Sequence, residues 1–253
     1  MKILAIDSSG LVASVALYEE GQLLGEYTLN TKLTHSETLL PMIENLMKIS
    51  GTEKNAIDAI CVAEGPGSFT GLRIGVATAK GLGLALGKPV IGVPTVEAMA
   101  YNYYDSEALV VPMMDARRNQ VYGGAFQFAN AEQVENLLFV DGNGKGLQAF
   151  VETDALPAEM LVQKAAALVK EGKAKQIIFL GDGVQPNTGS IALCDVPYQI
   201  APAPLSRQRA AHIAQVGESL LKNGVNTSAA DMKPNYLRPS QAERERAEKM
   251  GEA

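Results

Sequence analysis

Two apolar segments of this chain, residues 2–7 and 108–115, each end in an aspartate. Each is followed by a second segment that is typical of a strand, residues 12–18 in the first half and residues 121–128 in the second. Because the same start recurs in the second half, the pattern predicts two copies of one α/β unit in tandem.

The first half is predicted to contain three strands and then alternating helices and strands. Thr34 and Glu37 form a capping box at the start of the first helix. Pro41 removes one helical hydrogen bond, so this helix is either kinked or begins nearer Thr38. Its apolar face is Leu39, Leu40, Ile43, Leu46 and Met47. The other elements are the strand 22–29, a buried parallel strand 59–63, the helix 70–86, the strand 89–93 and the helix 95–102.

The second half is predicted to be a shortened copy, with a third strand at 137–140, a helix at 159–171, a strand at 176–180 and a helix at 207–222. This order predicts an α/β fold of tandem ribonuclease H-like/actin-like ATPase (ASKHA) subdomains, of which the second is reduced. We expect subdomains at 1–104 and 105–224 and a polar C-terminal tail at 225–253. The charged run 241–253 is either a solvated helix or a frayed tail.

The composition narrows the classes of partner. The chain is 47% hydrophobic and 20% charged, which fits a protein with a real core. It has no run of roughly 20 apolar residues, so we expect no membrane segment and a cytoplasmic location. Cys61 and Cys194 lie in apolar surroundings and are expected to be buried free thiols. The net charge of −6 predicts weak tRNA binding by the chain alone, because contacts from Lys and Arg to phosphate dominate that affinity.

Two turns are candidate nucleotide or anion contacts. Asp7, Ser8 and Ser9 follow the first strand, where this fold class holds phosphate and its metal, although an Asp there equally well caps a tight turn. The second turn precedes a helix, whose free N–H groups either bind an anion or pack within the turn. Its candidate residues are Gly65, Gly67 and Ser68.

The second half offers no matching glycine-rich loop, and the chain shows no catalytic set. Arg117 and Arg118 stand where glycines would let the backbone approach a phosphate. The Gly-Asp-Gly turn at 181–183 is a candidate nucleotide loop, although short glycine turns after strands are common. His35 and His212 are the only histidines and lie far apart in sequence, whereas a metal site needs three or four converging ligands. We expect neither a bound metal nor independent ATP hydrolysis.

Five segments together resemble the TsaB family. They are residues 3–9, 34–37 (Thr-His-Ser-Glu), 65–75 (Gly-Pro-Gly-Ser-Phe-Thr-Gly-Leu-Arg-Ile-Gly), 115–118 and 236–238. The segment 65–75 is the most specific, and the resemblance covers nearly the whole chain. It implies an incomplete actin-like ATPase fold and a role in placing threonylcarbamoyl on the tRNA adenosine next to the anticodon.

The resemblance also implies partners. They are a TsaD-like catalytic paralogue and a TsaE-like ATPase, with a homodimer when the chain is alone and tRNA reached only indirectly. TsaD carries a His-x-x-x-His pair that binds metal, and by strand order those histidines fall on Thr95 and Met99 here. No cofactor is therefore expected on the isolated chain, and the nucleotide and metal are expected on the TsaD-like partner.

Small residues recur four apart on the second predicted helix, so they share one face. This stripe either packs against the chain's own sheet and first helix or forms a docking groove. The resemblance implies docking, because TsaB family members pair through their first two helices. The predicted partner interface is Leu39, Ile43, Leu46, Met47, Gly71, Leu72, Gly75, Ala79 and Gly83.

The sequence thus favours a non-catalytic scaffold or activating subunit, and two alternatives stay open. An ASKHA-type ATPase or small-molecule kinase would bind ATP with Mg²⁺ on its own and turn it over. A glycoprotease-like metallopeptidase would carry a metal, which Thr95 and Met99 disfavour.

Overall fold

The computed structural model describes residues 1–238, and the first half of this region is built on a five-stranded sheet. Its strands are β1 (Lys2–Asp7), β2 (Ala13–Glu19), β3 (Gln22–Leu29), β4 (Ala59–Gly65) and β5 (Val90–Pro94). They lie in the order β3–β2–β1–β4–β5, antiparallel from β1 to β3 and parallel from β1 through β4 to β5.

The second half repeats this sheet. Its strands are β6 (Leu109–Asp115), β7 (Gln120–Asn130), β8 (Lys145–Pro157), β9 (Ile177–Leu180) and β10 (Tyr198–Ile200). Their order, β8–β7–β6–β9–β10, and their directions match those of the first sheet. The predicted tandem of ribonuclease H-like units in an actin-like fold is confirmed.

The prediction of the third strand of the second half at residues 137–140 is wrong, because that strand is β8. The segment 137–140 instead folds over the edge of β8, where Leu138 and Leu147 exchange two backbone hydrogen bonds of 2.8 Å. Much of β8 is only half buried, which leaves it without a strong apolar pattern.

Six helices accompany the two sheets in the described residues: α1 (His35–Ser50), α2 (Phe69–Leu86), α3 (Thr95–Ala100), α4 (Ala158–Lys170), α5 (Thr188–Ile191) and α6 (Ala210–Lys222). The second half is shorter than the first at its second helix. This helix, α5, has 4 residues, whereas the corresponding helix of the first half, α2, has 18. Its sheet is complete, because β10 supplies a fifth strand that the sequence pattern did not predict. Within residues 1–238, none of the helices has the length and apolar character needed to cross a bilayer.

The capping box fixes the start of α1. The backbone N–H of Thr34 donates to the Glu37 carboxylate at 2.8 Å, and the Thr34 hydroxyl donates to the same oxygen at 2.6 Å. The alternative start near Thr38 is wrong, because α1 begins at His35 and continues through Pro41.

The apolar residues of α1 that were predicted to meet a partner lie largely in the chain's own core. Leu39, Ile43 and Leu46 are buried in one apolar cluster with residues of β1, β2 and α2. Met47 is half-buried against the same cluster. The description of these side chains as a free docking surface is therefore corrected.

The glycine stripe of α2 also faces inward. A Cβ atom on Gly71 would lie 2.0 Å from the carbonyl oxygen of Ser8, and one on Gly75 would lie 2.4 Å from the Ser8 hydroxyl. A Cβ atom on Gly83 would lie 2.5 Å from the side chain of Val90. Leu72 and Ala79 are buried as well. The stripe thus lets α2 approach β1 and β5 closely, and its interpretation as an exposed groove is wrong.

The third helix of each half covers the sheet of the other half. α3 packs against β6 and β7, whereas α6 packs against β1 and β2. The predicted boundary between residues 104 and 105 therefore separates the two sheets, but residues 105–224 include a helix that belongs to the core of the first sheet.

The N-terminus of α6 is anchored by the first sheet. Glu26 on β3 accepts hydrogen bonds from the Arg209 Nε–H at 3.0 Å and from the backbone N–H of Ala211 at 3.0 Å. Ser14 on β2 accepts the backbone N–H of Ala210 at 2.9 Å. Because the Glu26 side chain is only 10% exposed, this pair satisfies helix N–H groups inside the protein.

Residues 225–238, which we call the strap, pack on the first half rather than forming a polar tail. Ala229 and Met232 are buried in the apolar cluster beneath α2. The backbone N–H of Asn235 donates to the Glu64 carbonyl oxygen at 2.7 Å. The tail prediction is therefore wrong for residues 225–238, and the charged run 241–253 lies outside the described residues.

Asp7, at the end of β1, caps the turn that follows it. One carboxylate oxygen accepts the backbone N–H of Ser9 at 2.9 Å and its hydroxyl at 2.6 Å. The residue is 1% exposed. Burial raises the pKa of Asp7 to about 6, although the two hydrogen bonds from Ser9 oppose that rise.

We expect Glu26→Ala to lower the free energy of unfolding by about 3 kcal/mol, because it leaves Arg209 and the backbone N–H of Ala211 without their buried acceptor. Urea denaturation measures this loss. The matched control is Glu107→Ala, which removes an exposed ion pair with Lys175 and should change stability little. Equal effects of the two substitutions would contradict the anchoring role.

We expect Asp7→Asn to stabilise the chain near pH 7 by up to about 3 kcal/mol, because the asparagine oxygen can still accept both Ser9 bonds without burying a charge. Between about pH 4 and pH 6 the folded state keeps a proton that the unfolded chain releases, so stability falls as pH rises through that window.

Urea denaturation of parent and Asp7→Asn across this pH range provides the measurement. The gain in stability should shrink as the pH falls and approach zero below about pH 4, where Asp7 becomes protonated in the unfolded as well as the folded state. Asp58→Asn, at an exposed site, controls for the loss of one negative charge. A variant that is less stable than its parent at every pH would show that ionised Asp7 is favourable.

Candidate functional site

A cleft of about 780 Å³ lies between the two halves. The turn after β1, the loop before α2 and the strap contribute residues from the first half. The turn between β6 and β7, the loop after β9 and the residues before α6 contribute from the second. Two equivalent turns thus meet across one cavity, as the duplication requires.

On the first wall, three of the six predicted anion contacts line the cleft: Ser9, Gly67 and Ser68. A Cβ atom on Gly67 would lie 2.4 Å from the Ser9 carbonyl oxygen, which accepts the Ser68 N–H at 2.7 Å. The Ser68 hydroxyl caps α2 by accepting the Gly71 N–H at 3.3 Å. The two turns are therefore locked together at the N-terminus of α2.

The other three predicted contacts, Asp7, Ser8 and Gly65, do not line the cleft. Asp7 is sealed beneath Ser9, and the Ser8 hydroxyl donates to the Gly71 carbonyl oxygen at 2.9 Å. Gly65 lies against the strap, where a Cβ atom would be 2.3 Å from the carbonyl oxygen of Asn235. This placement does not favour their direct contact with a nucleotide phosphate or its Mg²⁺, which stays a prediction.

The second wall keeps a backbone shape that glycine would favour but carries arginines. Arg117, Arg118 and Asn119 have φ angles of 65°, 54° and 58°, all in the left-handed region. This conformation costs roughly 1–2 kcal/mol for an arginine, whereas asparagine adopts it more readily. Arg117 pairs with Asp115 at 3.2 Å. The arginine side chains, rather than a different shape of the loop, would thus limit the approach of a phosphate to this turn.

The Gly-Asp-Gly turn at 181–183 supports that wall from behind. A Cβ atom on Gly181 would lie 2.1 Å from the Met113 carbonyl oxygen, which also accepts the Gly183 N–H at 2.9 Å. The Asp182 carboxylate accepts the Asp115 N–H at 3.0 Å, and burial raises the pKa of Asp182. These glycines serve close contact with β6, and they do not form an open phosphate loop.

The described residues do not assemble the ligands of a metal centre. His35 Nε2 lies 2.9 Å from the carbonyl oxygen of Gly10, and burial lowers the pKa of His212 to about 3. Thr95 and Met99, at the positions assigned to the paralogue's histidines, are buried at 0% and 1% exposure. Among residues 1–238 no three His, Cys, Asp or Glu side chains converge as metal ligands. The expected absence of a resident metal stays a prediction.

Most residues of the second wall and of the strap that line the cleft were not predicted as site residues, among them Arg207, Tyr236 and Arg238. Arg207 has a buried guanidinium nitrogen without a hydrogen-bond partner within residues 1–238. Tyr236 and Arg238 lie in the last of the family-like segments, so that resemblance was the available signal. The cleft combines arginines with the carboxylates of Asp115 and Asp182, so it can bind polar groups of either charge.

The sequence matches a family model described as "TsaD: tRNA N6-adenosine threonylcarbamoyltransferase" over residues 22–246. The tRNA threonylcarbamoyladenosine biosynthesis protein TsaB of Bacillus subtilis (strain 168) is 38% identical over 146 residues, which cover 56% of this chain and 64% of that protein. TsaB of Escherichia coli (strain K12) is 38% identical over 129 residues, which cover 50% and 55%. The aligned regions thus span between half and two thirds of these curated relatives.

Solved structures extend the likeness to nearly the whole fold. YeaZ from Pseudomonas aeruginosa superimposes with a TM-score of 0.73 at 26% identity, covering 93% of this chain and 99% of that one. A second structure from the same organism, described as an uncharacterized protein with similarity to peptidase YEAZ, also has a TM-score of 0.73, at 27% identity, and covers 94% and 99%. The chain therefore belongs to the TsaD threonylcarbamoyltransferase family and, within it, to the TsaB (YeaZ) group.

Proposed function

We propose that this chain is a non-catalytic subunit needed to place threonylcarbamoyl on tRNA adenosine. It would act by docking onto a TsaD-like catalytic paralogue that works with a TsaE-like ATPase. The family match supports the pathway, since relatives with the TsaB name are described as threonylcarbamoyladenosine biosynthesis proteins. The cleft supports a role without catalysis. Asp7 is buried beneath the first wall, and the turn between β6 and β7 carries Arg117 in place of a glycine.

The outer face of α2 is the observation that carries the docking part. Ala77, Gly81 and Ala85 are spaced four apart on this helix, and all three are exposed. A Cβ atom on Gly81 would have no heavy atom within 4 Å among the described residues. Glycine in a helix costs roughly 1 kcal/mol relative to alanine, and no contact within residues 1–238 requires it here. Close approach of another backbone would explain it.

Apolar side chains surround this outer stripe on the paired helices. Leu40 on α1 is 54% exposed, and Leu84 on α2 is 63% exposed. α1 and α2 pack against each other, so both contribute to one continuous side of the molecule. The docking surface we propose therefore uses the same two helices as the sequence prediction, but with their outward residues in place of the buried stripe.

The competing enzyme functions gain no support from the site. An ATPase or kinase of this fold would need the acid after β1 to face the cleft, whereas Asp7 caps its own turn. A metallopeptidase would need converging ligands, and Thr95 and Met99 supply neither imidazole nor carboxylate.

We expect Gly81→Leu to abolish capture of the TsaD-like partner and the modification of tRNA in a reconstituted reaction. Its melting temperature should be unchanged or higher, because leucine is the better helix former and has open space at this position. Gly75→Leu should instead melt far below the parent, since its side chain would collide with Ser8.

Gly189→Leu is the matched control, because Gly189 is also exposed in a helix, with open space around it, but lies on the second half. This variant should bind the partner and support modification like the parent. The proposal fails if Gly81→Leu still captures the partner and sustains full modification, or if Gly189→Leu is equally inactive.

A further inference from the structure

The strap is fixed to the first half along its length. The Lys80 ammonium on α2 donates to the carbonyl oxygens of Ala230 and Met232 at 2.8 Å and 3.0 Å. Asn235 is held by its N–H bond to Glu64 and by the close approach of its carbonyl to Gly65, whose φ of 126° only glycine adopts readily. The strap therefore moves with α2 and β4.

An aromatic stack pins the end of the strap at the N-terminus of α2. The rings of Tyr236 and Phe69 stack with centroids 4.6 Å apart. The Arg73 guanidinium lies 4.0 Å from the centre of the Phe69 ring, and its Nε–H donates to the Tyr236 hydroxyl at 3.2 Å. The ring stack with Phe69 and the hydrogen bond from Arg73 thus hold Tyr236 so that the residues after it lie at the cleft.

The strap then crosses to the second half. Arg238 donates from its guanidinium to the carbonyl oxygen of Ala116 at 3.3 Å. That acceptor belongs to a fixed turn, because the Ala116 N–H donates to Gln120 at 3.0 Å and the Arg117 N–H donates to the Asp115 carboxylate at 2.8 Å. A segment anchored on one half therefore binds a rigid acceptor on the other.

The hydrogen bond between Arg238 and Ala116 lies at the cleft. Tyr236, Leu237, Arg238 and Ala116 all line the cleft. Within residues 1–238, no residue of α3 or α6, the helices that each cover the opposite sheet, lines it. Those helices join the halves away from the cavity, whereas the strap spans the cavity itself.

We propose that the strap is a latch that sets the opening of the cleft. With Arg238 on Ala116 the two halves are held at their present separation. Release of that bond leaves the halves joined by α3, α6 and the residues beside these helices, such as Asn102 with Arg207 and Arg209 with Glu26. The cleft then widens and its lining residues become more accessible. The latch is intrinsic to the chain and needs no partner.

Distance measurement between spin labels on the two halves tests the latch. Lys48→Cys on α1 and Lys173→Cys after α4 supply exposed labelling sites in a Cys194→Ser background, and the native Cys61 is fully buried. Electron–electron double resonance should give a longer mean distance and a broader distribution for Arg238→Ala than for the parent. Tyr236→Ala should shift the distribution in the same direction, because it removes the stack that positions Arg238.

Arg118→Ala is the control, since it removes one positive charge from the turn beside Ala116 without removing the bond. It should leave the distribution at the parent's position, and Arg238→Lys, which keeps a donor, should stay nearer the parent than Arg238→Ala. Superimposable distributions for parent and Arg238→Ala would overturn the proposal, and so would equal widening in Arg118→Ala. Circular dichroism melting confirms folding, and Tyr236→Ala decides the question if Arg238→Ala does not fold.

Discussion

The helix α2 can lie as close to the first sheet as it does because its inner face carries glycines where it meets the turn after β1. Gly71 and Gly75 leave room for Ser8, and Gly67 leaves room for Ser9. This contact fixes the turn that would bind phosphate in an active member of the fold. With Ser8 bonded to α2 and Ser9 bonded to Asp7, the acid of β1 has no open path to the cleft.

The same packing separates the two faces of α2 by role. The inner stripe is used within the chain, whereas Gly81 on the outer face has open space around it among the described residues. Glycine inside a helix is costly by propensity, so the inner glycines and Gly81 on the outer face each call for a contact of their own. The inner contact is the sheet, and the proposed outer contact is another protein of the same fold. The strap, held by Lys80 and Arg73 on this helix, links α2 to the second half.

Local chemistry was predictable from the sequence, and long-range pairing was not. The duplicated strands and the capping box of Thr34 and Glu37 follow from apolar alternation and from residue spacing. Periodicity showed that Gly71 and Gly75 share one face, but it could not show whether a sheet or a partner fills it. The half-buried strand β8 and the 3-residue edge strand β10 carry patterns too weak to recognise. The place of Arg238 at the cleft could not be predicted, because its hydrogen bond is to Ala116, 122 positions earlier in the sequence.

A non-catalytic subunit of the kind we propose serves modification without performing it. The most direct measurement is the formation of threonylcarbamoyladenosine on tRNA by a TsaD-like subunit and a TsaE-like ATPase, supplied with a threonylcarbamoyl donor, in the presence and absence of this chain. We predict product only when the chain and the TsaD-like subunit are both present, and none from the chain alone. Modification by the isolated chain, or an undiminished rate without it, would contradict the account.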